Sequence, residues 1–301
     1  MKCYTGKPGG TEKVIALGTF DGVHLGHQTV LEVAETIAMC EKLTSCAVSF
    51  LNHPLSVVGN GAPPLLTLPA EKALLAARAC LDEMVLLPFD KAMASMPPED
   101  FVSLLTEDFQ ARQLVVGDNY TFGDGGRGDI SLLSRLARQK GLVLHVVPKV
   151  AVAGMEVSST VIRGLLSQGD VRRAMALLGR AYSIGGVIEH GRRLGHRLGF
   201  PTINVRLPQG KLLPAFGVYF GYADIAGSHL PAMFNLGLKP TVGSDRPTLE
   251  AYLLDFDGEI YGRAARVSFV ARIRPERRFD SLDELSQQIA RDVLLARRLA
   301  Q

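Results

Sequence analysis

The chain has 301 residues, a net charge of +3 and 47% hydrophobic residues, which is enough apolar material for two domains with separate cores. A charge excess this small gives no footprint for nucleic acid, and the pairs Arg192-Arg193 and Arg277-Arg278 read as solvated surface charge. Cys3, Cys40, Cys46 and Cys80 form no Cys-x-x-Cys pair and no metal-ligand spacing with the seven histidines. The N-terminal MKCYTGKPGG lacks an apolar stretch, and no apolar run approaches the roughly 20 residues of a membrane span. The expectation is a soluble cytoplasmic protein with no membrane or nucleic-acid partner.

In chain order, the strand-like Val14-Ile-Ala-Leu17 leads into GTFDGVHLGHQ at residues 18 to 28, after which Val30, Val33, Ala34 and Ile37 recur at helical spacing. His24 and His27 therefore fall three apart on one side of a first helical turn. A helix start already favours an anion through its N–H groups and dipole, and two imidazoles add donors in the same place. Gly18, Gly22 and Gly26 let the backbone turn and approach a ligand. The pattern points to a phosphate. Alternation then continues: strand 44–50, helix 70–81, strand 84–88, helix 98–109, strand 114–116, helix 130–140 and strand 142–147. This predicts an α/β domain, a parallel sheet with helices on both faces, with ligands beyond the C-terminal strand ends. Three loops fall at such ends: GTFDGVHLGHQ, SFLNHP at 49–54 and GDNYTFGDGGRGD at 117–129. A further helix start lies in EVSSTVIR at 156–163, where Ser158, Ser159 and Thr160 are cap candidates and Arg163 sits one turn in, within reach of a phosphate. A helix at 171–178 ends at Gly179.

Beyond Tyr182 the character changes. Five or six short β-prone runs, at 182–187, 217–224, 230–236, 249–256 and 265–273 among them, follow without intervening helices and predict an antiparallel sheet or small barrel. Only 281–299 is helical, with Leu285, Ile289, Asp292, Val293 and Ala296 on one face. GRRLGHRLGFPTIN at 191–204 supplies glycines for a phosphate approach, and its Thr202 and Asn204 oxygens are of the kind that ligate a hard Mg²⁺ beside nucleotide phosphates, although such residues more often serve turn chemistry. Glu250 lies in an otherwise apolar strand, either as a base toward a hydroxyl or as an ordinary solvent-facing residue.

Taken together, GTFDGVHLGHQ, VGDNYTFG, VSSTVIRGLLSQGDV, LLGRAY, LGFPTIN, NLGLKPT, LEAYLLDFDGEIYG and IRPERRF resemble, over nearly the whole chain, the bacterial bifunctional riboflavin kinase and FMN adenylyltransferase family. The resemblance implies a Rossmann-like nucleotidyltransferase domain at 1–182 and a six-stranded antiparallel riboflavin kinase barrel with a terminal α-helix at 183–301. It implies ATP-dependent phosphorylation of riboflavin to FMN, then adenylylation of FMN to FAD, each with Mg²⁺. Carried over by position, the catalytic residues are Glu250, His24 and His27. Nucleotide and phosphate contacts fall on Gly18, Phe20, Asp21, Gly26, Ser159, Thr160, Arg163, Gly195, Gly199, Thr202 and Asn204, of which Thr202 and Asn204 would also hold the metal. Flavin contacts fall on Asn52, Pro54 and Asn119. The family commonly has proline at Asn52, and often aspartate at Asn119, arginine at His196 and histidine at Tyr252. Two variants of the reading stay open: a riboflavin kinase with a degenerate adenylyltransferase domain, and a non-catalytic flavin-binding regulator. The expected partners are small molecules only, with the chain a monomer or weak homo-oligomer.

Overall fold

A computed structural model describes residues 1–59, 61–189, 200–241, 244–256 and 258–301. They form two compact units, Met1–Ser159 and Thr160–Gln301. This division groups residues 160–181 with the second half, whereas the sequence reading placed the domain boundary at Tyr182.

The first unit is built on six parallel strands, β1 (Lys2–Tyr4), β2 (Lys13–Leu17), β3 (Thr44–Phe50), β4 (Glu83–Leu87), β5 (Ala111–Gly117) and β6 (Val143–Val147), in the spatial order β1-β4-β3-β2-β5-β6. Strand alternation explains why both faces are covered. On β2, Val14 and Ala16 enter one core with helix α1 (Leu25–Glu41), while Ile15 and Leu17 enter the other with Phe101, Leu105 and Leu133. The chain moves outward from β2 through β3 to β4, then returns to β5 on the other side of β2. The order therefore reverses between β2 and β5, and at such a switch point the loops leaving the strand ends part and open a crevice. At the opposite strand ends, Lys13 is fully buried, with Nζ 3.3 Å from Glu83 Oε2 and hydrogen bonds to the Gly9 and Thr11 carbonyls at 2.7 and 2.8 Å.

The remaining helices of this unit are α2 (Leu55–Val58), α3 (Pro69–Ala77), α4 (Lys91–Ala94), α5 (Pro98–Ser103) and α6 (Ile130–Gln139). Two differ from the periodicity. The helix expected over 98–109 is α-helical only to Ser103 and continues as a π turn, Leu104–Asp108, closed by Phe109 N–H donating to the Leu104 carbonyl at 3.1 Å. The wider turn accommodates Leu105 and Phe109 both in the core. The helix expected over 70–81 ends at Ala77, and Cys80, at φ 59°, turns the chain so that Leu81 is buried. Strand β1 and the hairpin β7 (Ala151–Val152) and β8 (Met155–Glu156) are too short to show a period in sequence.

In the second unit, α7 (Ser159–Gln168) and α8 (Val171–Leu178) precede six strands: β9 (Tyr182–Glu189), β10 (Ile203–Val205), β11 (Gly217–Ile225), β12 (Ser228–Thr241), β13 (Ser244–Leu253) and β14 (Ala264–Pro275). They close as an antiparallel barrel in the order β10-β13-β12-β11-β14-β9, with β9 pairing back to β10. The predicted parallel α/β sheet, the six-stranded barrel and the terminal helix are therefore all present; β10, three residues inside a Pro-Thr-x-Asn loop, is the strand that the sequence pattern did not resolve. Tyr219, Phe234 and Phe269 pack edge to face and tilted inside the barrel, with centroids 5.2 and 5.6 Å apart. Gly221 leaves room for the crossing of β11 and β14, since a Cβ there would collide with the Ser268 carbonyl. Helix α9 (Leu282–Ala300) lays Ile289, Val293 and Ala296 against Val218, Phe220 and Met233 on the outer wall.

Candidate active sites

The turn between β2 and α1 is tightly wound. Phe20, Gly22 and Val23 all have positive φ, 46°, 91° and 39°, and a β-branched residue in that region is strained. Neighbours hold it there. Asp21 is buried, and its carboxylate accepts from Thr67 N–H at 2.9 Å and Leu66 N–H at 3.2 Å, while Thr67 Oγ1 accepts from Gly22 N–H at 2.9 Å. Ser159 Oγ donates to the Asp21 carbonyl at 2.8 Å. Gly18 is required because the Phe20 ring lies over it, 2.8 Å from where a Cβ would be.

His24 is the N-cap of α1, in the extended conformation, and its Nδ1 accepts from His27 N–H at 3.3 Å. With Nδ1 as acceptor, the neutral ring carries its proton on Nε2, which is then a donor. The two imidazoles stack with centroids 3.6 Å apart and 15° between planes, and the Phe20 ring meets His27 edge-on at 5.3 Å. Gly26 permits this, since a Cβ would press on His24 Nδ1 at 3.3 Å. The spacing predicted from sequence is thus realised as two layered rings at one helix start.

Beside this turn lies a cleft lined by Thr19, Asp21, Asn52, Pro54, Thr67 and Lys72. It brings together Asn52 and Pro54, two of the three expected flavin residues. Asn52 spends its amide on the backbone: Oδ1 accepts from Phe89 N–H and Nδ2 donates to the Phe89 carbonyl, both at 2.9 Å. That clamp joins the ends of β3 and β4, and a proline at this position has no group to make it. Asn119 is exposed on the loop after β5, where its Oδ1 lies 3.4 Å from the position of a Gly117 Cβ, and is not among the residues lining this cleft. Lys72 is the residue that sequence reasoning missed. Its Nζ donates to the Thr19 carbonyl at 2.7 Å, the Phe50 carbonyl at 3.0 Å and Ser49 Oγ at 3.1 Å. Burial pushes its pKa down to about 8, with Asp21 opposing the shift. The available signal was its place four residues before Ala76, on the buried stripe of α3.

Thr160 and Arg163 lie three apart on α7, within the second unit, so they share one side of that helix. Gly195 and Gly199 lie outside the described residues.

On the barrel, register gives the decisive placement. Glu250 on β13 is paired with Asn204 on β10 and with Asn235 on β12, forming a row of three polar residues across adjacent strands. Their neighbours Ile203, Val205, Leu249, Ala251, Phe234 and Leu236 are buried on the opposite, inward side. The row is half-buried and shares its side with Met233 and Tyr252, where the apolar contact with α9 begins. Thr202 stands two positions before Asn204. Asn235 was not a candidate from sequence, because nothing in NLGLKPT by itself says which strand faces Glu250.

One chain thus combines a parallel sheet, with a histidine-capped helix at its switch point, and a closed barrel that carries a carboxylate between two asparagines, a fold and residue types that suit an enzyme of phosphate chemistry. Comparison with known proteins agrees: a family described as FAD synthetase matches residues 7–161, and one described as riboflavin kinase matches 178–300. The bifunctional riboflavin kinase/FMN adenylyltransferase of Bacillus subtilis (strain 168) is 35% identical over 93% of this chain and 90% of its own. The enzyme of the same description from Escherichia coli (strain K12) is 36% identical over 94% and 91%. A crystal structure from Streptococcus pneumoniae, described as a macrolide-efflux protein, superposes with a TM-score of 0.90 at 29% identity over 98% of both chains. The chain belongs to the bifunctional riboflavin kinase/FMN adenylyltransferase family. It converts riboflavin and ATP to FMN, and FMN and ATP to FAD.

Proposed function

We propose that the polar row on the barrel is the kinase centre and the histidine-capped helix start is the adenylyl-transfer centre. The observation that carries the first assignment is the register that sets Glu250 between Asn204 and Asn235. An alcohol is a poor nucleophile, so Glu250 accepts the proton of the terminal ribityl hydroxyl as its oxygen bonds to the γ-phosphorus of ATP and the bond to ADP breaks. Asn204 offers a neutral oxygen donor on the same side as that carboxylate, and Thr202, just before β10, adds another of the kind that suits Mg²⁺. The metal, when bound, would neutralise charge on the ATP phosphates; Thr202 and Asn204 would hold it, and Gly195 and Gly199 belong to the same phosphate-binding stretch of sequence.

In the first unit, a phosphate oxygen of FMN attacks the α-phosphorus of ATP and pyrophosphate leaves. No base is required, because that phosphate is already ionised. His24 and His27 donate to the charge that builds on the transferring and leaving phosphates, at a helix start whose dipole has the right sign. Gly18, Phe20, Asp21 and Gly26 shape this turn and Ser159 ties it down; Thr160 and Arg163, on α7 in the second unit, stay phosphate-binding candidates by their place in the sequence. Asn52 and Pro54 form the flavin side, and Asn119, on the loop after β5, is the further flavin candidate. The free cysteines Cys3, Cys40, Cys46 and Cys80 are in keeping with a cytoplasmic enzyme, and the small net charge of +3 with one that acts on small molecules.

Glu250→Gln tests the kinase assignment. It keeps size and most hydrogen bonding but cannot take the proton, so riboflavin phosphorylation falls by about 10² to 10⁴ while riboflavin binding and adenylylation of supplied FMN persist. FMN formation at the wild-type rate under saturating ATP and Mg²⁺ removes Glu250 from the mechanism.

A further inference from the structure

Strands β2 and β3 stay paired as far as Leu17 and Val48, and Gly18 N–H still reaches the Val48 carbonyl at 3.3 Å. Beyond that the two chains diverge, one into the loop at Thr19–Val23, the other along β4 to Phe50 and then to Asn52 and Pro54. The Thr19 and Phe50 carbonyls lie on the two lips of the opening, and Ser49 Oγ on β3 also donates across it to the Thr19 carbonyl at 2.8 Å. Lys72, only 6% exposed, crosses it from α3 and donates to both, and to Ser49 Oγ between them. A lysine is among the residues least often buried, and a methionine would fill the volume at lower desolvation cost. What an ammonium supplies, and no apolar side chain can, is three donors converging on two separate loops.

We propose that Lys72 is a positioning residue for FMN in adenylyl transfer, bridging the loop after β2 to the end of β3 and so fixing the wall of the cleft that carries Asn52 and Pro54. Its three N–H groups are directed at protein acceptors, so it acts through those loops and not as a contact to the reacting atoms. The inference rests on the reading that this cleft takes the flavin. Loss of one proton leaves the amine two donors for three acceptors, and with the pKa lowered to about 8 this happens in mildly alkaline solution. The other titratable groups around Lys72 are Asp21 on the loop after β2, His53 on the loop after β3 and Glu71 on α3 itself; an alkaline fall in FMN use must therefore be shown to disappear with Lys72.

The experiment measures FAD formation from FMN and ATP by the full-length enzyme, as a function of pH, for wild type, Lys72→Met, Lys72→Arg and Asn52→Ala, with folding followed by circular dichroism. Misplacement of a binding wall by an ångström typically costs about 10²-fold, so in Lys72→Met the KM for FMN rises by one to two orders of magnitude while the KM for ATP and riboflavin phosphorylation are unchanged. Wild-type kcat/KM for FMN falls above about pH 8, and this limb is absent from Lys72→Met and from Lys72→Arg, whose guanidinium keeps its charge. A folded Lys72→Met with wild-type KM for FMN, or with the alkaline limb intact, overturns the proposal. If Lys72→Met does not fold, the wild-type profile decides: no limb near pH 8, or one that persists in Lys72→Arg, is equally fatal. Asn52→Ala separates the two readings. A raised KM for FMN there, beside an unaffected Lys72→Met, keeps the flavin cleft and rejects the role of Lys72; an unchanged KM in both rejects the cleft itself.

Discussion

His24 and His27 owe their arrangement to a cap. The N-cap role turns the His24 ring back over the helix start, where Nδ1 meets the His27 N–H, and stacking follows from that geometry. Removing one donor preorganised at a developing charge typically costs about 10² to 10³ in rate. His27→Ala therefore lowers FAD formation by that order with FMN formation retained; equal losses in both activities would assign the ring a folding role. Lys72 makes a separate prediction about stability. Its folded pKa, about 8, lies below the ordinary lysine value of 10.5. Below pH 8 both folded and unfolded chains hold the proton and stability does not change on its account. Between 8 and 10.5 the unfolded chain binds more protons, so this residue makes stability rise with pH, by on the order of 3 kcal/mol across the window. Urea unfolding at several pH values, wild type against Lys72→Met, isolates the contribution; a difference between the two that is flat over this range contradicts it.

At the scale of elements, α9 is held to the barrel by an ion pair as well as by its apolar stripe. Arg274 Nε on β14 donates to Asp292 Oδ2 at 2.8 Å, and Gln288 Nε2 donates to the other oxygen at 2.8 Å, with Asp292 only 3% exposed. Deleting one member of such a pair leaves the other charge buried and commonly costs 3–5 kcal/mol. Because Arg274 is itself 17% exposed and retains some water, Asp292→Ala is expected nearer the lower figure, roughly 3 kcal/mol. The melting temperature of the barrel unit should fall accordingly, and the loss should be smaller, but not absent, for Asp292→Asn, which keeps an oxygen for Arg274 but not the charge. Elements also mark where periodicity was readable. The amphipathic pattern of residues 281–299 found α9 to within a residue at each end because that helix has a solvent-facing side, and the run at 44–50 found β3 at both ends because a parallel strand covered on both faces reads as a short β-prone run. The π turn after α5 and the three-residue β10 carry no such period. The first depends on two large side chains competing for one core, the second on pairing with β9 and β13.

At the scale of the whole molecule, two chemistries sit on two units, and the question is where a kinase can be cut free. Helix α8 buries Val171, Ala174, Leu177 and Leu178, Arg272 Nη1 on β14 donates to the Gln168 carbonyl at 3.1 Å, and Ala215 N–H to the Leu166 carbonyl at 2.9 Å. A fragment starting at Thr160 keeps these contacts and one starting at Tyr182 loses them. Both contain Thr202, Asn204, Asn235 and Glu250 and both are expected to phosphorylate riboflavin, but the shorter one should be less stable by several kcal/mol, given about 1.5–3 kcal/mol for each large apolar side chain uncovered. Circular-dichroism melts and FMN yield compare them; equal melting temperatures would mean that α7 and α8 contribute nothing to the barrel. The sequence determined the local and the ordered: alternating strands and helices in one half, strands alone in the other, the phosphate-seeking turn at 18–28, and the family, since motifs in fixed order survive without coordinates. Tertiary structure alone decided which residues separated by long stretches of chain meet. Asn235 joins Glu250 through strand register, Asp21 is spent on Thr67 and Leu66, Asn52 on Phe89, and Lys72 on two loops from other strands. The physical reason is that periodicity reports which side of an element is apolar, whereas a hydrogen-bond partner across the fold depends on register and strand order, which no local window of residues contains.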